Sequence, residues 1–165
     1  MKIFKKIILA LLIVLIIIQF FHPGKNASTA KSPSDIAVLY PVPQNVASIL
    51  DKACNDCHSN NTRHPWYNNI QPIAWWLDDH IREGKRELNF NEFASYRIGR
   101  QYRKLEEVID QVKKDEMPLG SYTFIHTDAK LTDEEKASLT QWAQAIRDTI
   151  KAKYPADSLV RKKKP

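Results

Sequence analysis

The chain has 165 residues, 43% hydrophobic and 27% charged, with two cysteines, which suits one modest core and excludes a disulfide scaffold or a four-thiolate zinc site. The formal charge of +6 sits at the ends, on Lys2, Lys5, Lys6, Lys25 and Lys31 and on Arg161, Lys162, Lys163 and Lys164, whereas residues 36–160 carry 16 basic and 18 acidic side chains. A nucleic-acid footprint is a basic face on a folded domain, so no nucleic-acid partner is expected.

Residues 1–23 read as an export signal. Three lysines precede an apolar run from Ile7 to Phe21 that only Gln19 interrupts. The run is long for a cleavable signal peptide and a little short for an ordinary spanning helix. Ser28-Thr29-Ala30 offers a cleavage site, but several residues too far along, which favours an uncleaved single-pass anchor helix in the cytoplasmic membrane, with the lysines inside and everything after Phe21 in the periplasm or exterior. Residues 24–41, rich in Ser, Pro, Ala and Lys, read as a flexible spacer. Residues 155–165 read as a solvated basic tail.

Between them, residues 42–154 predict an all-α domain. Val46, Ile49, Leu50, Ala53 and Cys57 keep helical spacing and lead straight into the cysteine pair. Pro72 can open a second helix with the stripe Ile73, Trp76, Leu77, His80 and Ile81, closed by Gly84. Phe90 to Tyr96 suits a short helical turn begun by Asn89 or Asn91. A long helix places Tyr102, Leu105, Ile109 and Val112 inside and Arg103, Lys104, Glu106 and Glu107 outside, and Met117-Pro118-Leu119-Gly120 ends it. Thr132 and Glu135 form a capping box for a last helix with the stripe Leu139, Trp142, Ile146 and Ile150. Stretches 59–71 and 117–131 are expected to be non-helical loops.

Cys54-Asn55-Asp56-Cys57-His58 is the pattern by which a c-type haem is attached covalently. Cysteines three apart share a face at a helix end, so two thiols can reach the two vinyl groups of one porphyrin edge, and His58 follows where its imidazole can reach the iron as proximal ligand. A redox dithiol, a structural disulfide and a lone metal site are the alternatives, although the strand-helix-strand surroundings of a redox dithiol are missing from the pattern. For the distal position, Met117 is the only methionine after Met1 and stands in a loop beside Pro118. His80 is the rival, and His64 and His126 read as surface or supporting groups. Trp66 and Trp76, with Tyr67, Trp75 and Trp142, are expected around the haem, where an indole or phenol, Arg63 or Arg82 can meet a propionate.

These residues resemble the bacterial haem-binding domain family of small exported proteins related to cytochrome c. The likeness rests on Cys54-x-x-Cys57-His58-Ser59-Asn60-x-Thr62, Pro65-Trp66-Tyr67, Ile70-Gln71-Pro72, Trp75-Trp76-Leu77, His80-Ile81, Glu83-Gly84, Leu88-Asn89-Phe90, Glu116-Met117-Pro118-Leu119 and Leu131-Thr132, and covers about Val42 to Ala143. It implies one covalent haem c, His58 as proximal ligand and a cytochrome-c-like helical fold. Met117 ahead of the helix opening at Leu131-Thr132 also resembles the ligand-methionine arrangement of class I cytochromes c, while the aromatic insert between His58 and Gly84 departs from it. The expected function is membrane-tethered electron transfer with redox partner proteins, without catalytic residues or a small-molecule substrate. A peroxidase-like module, a haem sensor and a structural subunit of a respiratory complex are the alternatives.

Overall fold

The computed structural model describes residues 2–160; Arg161 to Lys164 of the expected basic tail lie outside them. The apolar run forms α1 (Lys2–Ile18), 17 residues with no buried side chain. At 1.5 Å per residue that is about 26 Å, against about 30 Å of hydrocarbon. Among the described residues no helix is long and apolar enough to cross a membrane, so the expected spanning anchor is not supported by them. The helix stops because the chain tightens, with the amides of Gln19, Phe20 and Phe21 turning to carbonyls three residues back.

The stretch 24–41, read as a spacer, lies along the domain. Ala27 bridges Asn61, Asn26 donates to the Ser59 carbonyl and the Thr62 hydroxyl, and the short α2 (Ile36–Leu39), capped by Asp35, buries Ile36 in the core. At the other end, α9 (Ala156–Leu159) lies against α6 (Ile98–Lys113). There a Cβ on Gly99 would meet the Ser158 carbonyl at 2.7 Å, so only glycine permits the approach.

The core is where the expected stripes meet. α3 (Gln44–Ala53) contributes Val46, Ile49, Leu50 and Ala53, α6 contributes Leu105, Ile109 and Val112, and α8 (Asp133–Lys153) contributes Leu139, Trp142, Ala143, Ile146 and Ile150. Phe90 and Phe93, on a 3-10 turn from Phe90 to Ser95 that Asn89 caps, complete one cluster. The Thr132–Glu135 capping box opens α8 as expected, and Lys52 pairs with Glu135 at 2.7 Å to tie α3 to it.

The remaining helices flank the cysteine pair. α4 (Asn55–His58) follows α3 after a break at Cys54, so the first helix does not run unbroken through the motif. α5 (Ile73–Glu87) continues past Gly84, and α7 (Gly120–Ile125) follows Met117. The two expected loops therefore contain structure: a 3-10 turn at Trp66–Asn69, α7, and a 3-10 turn at Thr127–Ala129. The described part is all-α, with no strand among the described residues beyond the isolated Ala27–Asn61 bridge.

Candidate functional site

Cys54 makes the turn that presents the site. Its backbone, at φ −125° and ψ −44°, is the last cap of α3 and the first of α4, and its carbonyl accepts from both Cys57 N and His58 N. Both thiols are free. Burial, and then the neighbouring Cys57, pushes the Cys54 thiol up to about 12; burial, and then the Asp56 charge, pushes Cys57 up to about 11. Reactive redox dithiols have lowered thiol pKa values, so this pair lacks their electrostatic setting.

His58 is held by two main-chain carbonyls. Its Nδ1 lies 3.0 Å from Gly84 O and 2.8 Å from Leu88 O, so Nδ1 carries the proton and Nε2 keeps its lone pair. Metal-ligating histidines are oriented in this way, the second nitrogen donating to a carbonyl or carboxylate. Burial holds His58 below the ordinary histidine value; the two carbonyl bonds oppose that shift and the Lys104 charge adds to it. The approach depends on Gly84, where a Cβ would meet Cys57 O at 2.7 Å and Cys57 Cβ at 3.1 Å. Gly84, expected to close the helix, instead lets α5 touch the cysteine pair. The Leu88 end is buttressed by Asn89, which donates to Asn60 Oδ1 at 2.8 Å, and by Asn91 Oδ1, which accepts from Asn60 N at 2.7 Å.

Met117 reaches the site because α6 ends in a Schellman turn. Asp115 takes φ 57°, its amide bonding Val112 O and the Glu116 amide bonding Gln111 O, the 5→2 and 6→1 pair of that motif. Two adjoining cavities, of about 340 and 360 Å³, share Ala53, Cys54, His58, Glu87, Met117 and Pro118. Leu50, Leu88, Phe90, Val108, Val112 and Leu131 line the first, and Cys57, Gly84, Leu119 and Tyr122 the second. Such volumes and apolar walls suit an organic cofactor. Among the described residues no three His, Cys, Asp or Glu side chains are grouped to hold a bare metal ion. One neutral imidazole and one thioether in an apolar cleft fit an iron that brings its other four ligands in a planar macrocycle.

The other expected site residues are scattered. His80 lines only the second cavity; its Nδ1 sits 2.8 Å from Trp76 O and its ring lies on Trp76 at 4.3 Å. Trp76 and Trp66 line neither cavity, and Trp66 is 76% exposed, because the 3-10 turn at 66–69 directs Tyr67 rather than Trp66 inward. Arg63 is taken up by Asp56 and Asp51, Arg82 by Asp78 and Asp79, and neither lines these cavities. Both nitrogens of His64 are buried without a hydrogen bond.

Two groups escaped the sequence reading. Lys104, assigned to the outer face of α6, is buried, lines the first cavity and bonds Glu87 at 2.7 Å and Glu107 at 2.5 Å. Its signal was the stripe Lys104, Val108, Gln111, all of which line that cavity; mixed polarity hid it. Asp56, between the cysteines, is buried and accepts from Arg63 N at 3.0 Å, Arg63 Nε at 3.1 Å and the Tyr122 hydroxyl at 2.6 Å. Burial first, and then the bond to Asp56, raises the Tyr122 pKa. The Tyr122 ring stacks on His126 at 4.5 Å, and Tyr67 OH meets His126 Nε2 at 2.7 Å. No local pattern announces this network, since its members are far apart in the chain.

A family model described as the haem-binding domain matches residues 13–145, which takes in the cysteine pair, His58, Met117 and most of α8. No curated protein and no solved structure matches the chain.

Proposed function

Because this chain belongs to the haem-binding domain family and is a haem-binding protein, we propose that it holds one haem c covalently through Cys54 and Cys57 and carries electrons with it outside the cytoplasm, at a membrane surface. The observation that carries this reading is His58, its Nδ1 fixed by Gly84 O and Leu88 O, lining both cavities together with Cys54 and Met117. Bound haem supplies an iron that exchanges one electron; the protein's residues orient it. Cys54 and Cys57 would each hold the haem by one thioether, the sulfur joining one carbon of a vinyl group and the thiol proton the other. His58 offers Nε2 as proximal ligand, and Met117 offers its thioether as distal ligand, favoured over His80 because Met117 lines both cavities and His80 one.

The many apolar residues lining the cavities suit a large planar cofactor, and a thioether ligand favours the reduced iron and a raised potential. The membrane part of the reading rests on α1, which presents apolar side chains on all sides with none buried; such a helix is covered by lipid or protein. Redox partner proteins would approach the domain from the aqueous side.

The test is protein made with the haem-attachment machinery. After denaturation and acid-acetone extraction the colour stays with the chain and the intact mass rises by one haem; extracted colour overturns covalent attachment. The oxidised protein shows the weak near-infrared sulfur-to-iron band, which Met117→Ala abolishes and His80→Ala keeps. The reverse result assigns the distal position to His80.

A further inference from the structure

Where α1 meets the domain, the surface is apolar and aromatic. Trp75 Nε1 donates to Phe21 O at 2.7 Å and Gln71 Nε2 donates to the same carbonyl at 2.9 Å. Gln71 N donates to Gln19 Oε1 at 2.9 Å, and Gln19 Nε2 returns a bond to Gln71 O at 3.1 Å. These bonds set Phe20 and Phe21 beside the start of α5, where Ile70 just ahead of the helix and Ile73 and Trp75 in its first turn are also exposed. Ala74, Leu77 and Ile81 turn inward, which leaves Trp75 on the outer side of the helix.

That outer side changes character along the axis. Its first turn is apolar, whereas Asp79, Arg82, Glu83 and Arg86 follow with mostly exposed side chains joined in ion pairs. The helix is thus divided end from end as well as face from face, apolar where α1 joins and charged farther on.

We propose that Phe20, Phe21, Ile70, Ile73 and Trp75 form a lipid-contact face, on which the folded domain rests with the first turn of α5 at the headgroups. This inference rests on the membrane attachment proposed above and adds which face of the domain is turned to the bilayer. Two observations favour lipid over a protein partner. The face is continuous with α1, whose side chains from Ile7 to Ile18 are all apolar. Trp75 pairs an apolar ring with a satisfied N–H, the combination enriched at membrane interfaces. The site lies farther along the same helix. Gly84, which holds His58, lies nine residues beyond Trp75 on α5, about 14 Å along its axis.

The experiment is carbene footprinting with mass spectrometry on the full haem-loaded chain, with and without vesicles of phosphatidylcholine and phosphatidylglycerol. Labelling of Ile70, Ile73 and Trp75 falls by about threefold or more on adding vesicles, as expected for side chains seated in the headgroup boundary. Val38 and Tyr154, exposed elsewhere, keep their labelling. In the same assay Ile73→Ser weakens vesicle partitioning with an unchanged optical spectrum. If α1 is protected while the face labels as in water, the domain hangs free of the bilayer and the inference is overturned. Protection that grows with protein concentration before vesicles are added assigns the face to a second copy and overturns it as well. If neither α1 nor the face is protected while covalent haem persists, membrane attachment itself fails and takes this inference with it, leaving the haem assignment standing.

Discussion

The domain has two sides held together by different physics. The side built from α3, α6 and α8 shares one apolar cluster, in which many side chains each contribute a little and the stripe of one helix meets the stripes of two others. The side built from α4, α5 and α7 depends on single close approaches: Gly84 against Cys57, two carbonyls on one imidazole nitrogen, and a buried Asp56 that gathers Arg63 and Tyr122. A packed core loses stability in proportion to the volume removed, while a site of this second kind loses its geometry when one atom is added or one bond is cut.

The sharpest way to break the comparison is in the packed cluster, where Leu139 is fully buried. Leu139→Ala is expected to cost about 2 to 5 kcal/mol, read as a global shift of the denaturation midpoint. Gly84→Ala comes next. Alanine is the better helix former by about 1 kcal/mol, yet its Cβ would press on a main-chain oxygen 2.7 Å away, and overpacking of this kind costs about 1 to 3 kcal/mol. The expected result is a smaller global loss together with a large fall in haem incorporation, measured as absorbance per protein; normal incorporation would show that α5 can retreat without disturbing His58.

Tyr122→Phe removes one donor from Asp56, and a hydrogen bond to a charged group is worth about 1.5 to 3 kcal/mol. Arg63 remains on Asp56, so the lower end of that range is expected, confined to α7 and the segment after Met117. Limited proteolysis between residues 117 and 130 should quicken more than the global midpoint moves; equal effects would merge the two sides into one cooperative unit.

The smallest effect tests the seam between α3 and α8. The Lys52 hydrogen bond, followed by the bond to Thr132 N, holds Glu135 below its ordinary value. A carboxylate lowered in the folded state adds stability above its unfolded value, about 4.3, and loses it as pH falls through the lowered folded value. The pair is partly solvated, with 26% and 28% of the side chains exposed, so under about 1 kcal/mol is at stake. Denaturation at pH 6 and at pH 3 should differ less in Lys52→Met than in the parent chain; an equal difference would assign the acid sensitivity elsewhere.

The periodic residues were legible because their partners need only be apolar. The stripes of α3, α6 and α8, and the capping box at Thr132, follow local rules and reappear in the fold. The cysteine pair with His58 was legible as a fixed spacing. The wrong readings came where a residue's meaning is set by something distant. Gly84 looked like a stop because glycine often follows a helix, whereas here it faces Cys57. Trp66 looked like a haem neighbour because aromatics are usually buried, yet the turn at Pro65 leaves it outside. Lys104 looked solvated because lysines usually are, until Glu87 and Glu107 made its burial tolerable.

The sequence by itself determined the all-α class, the cysteine pair with its histidine and a single available methionine, since these follow from composition, period and spacing along one chain. Only the tertiary structure decided that His58 would find the carbonyls of Gly84 and Leu88, that Met117 would share its cavity walls, and that Asp56 would bind α7 to the motif. The reason is that a hydrogen bond or a close approach depends on atoms within a few ångströms in space, and here those atoms are separated by 26 to 66 positions in the chain.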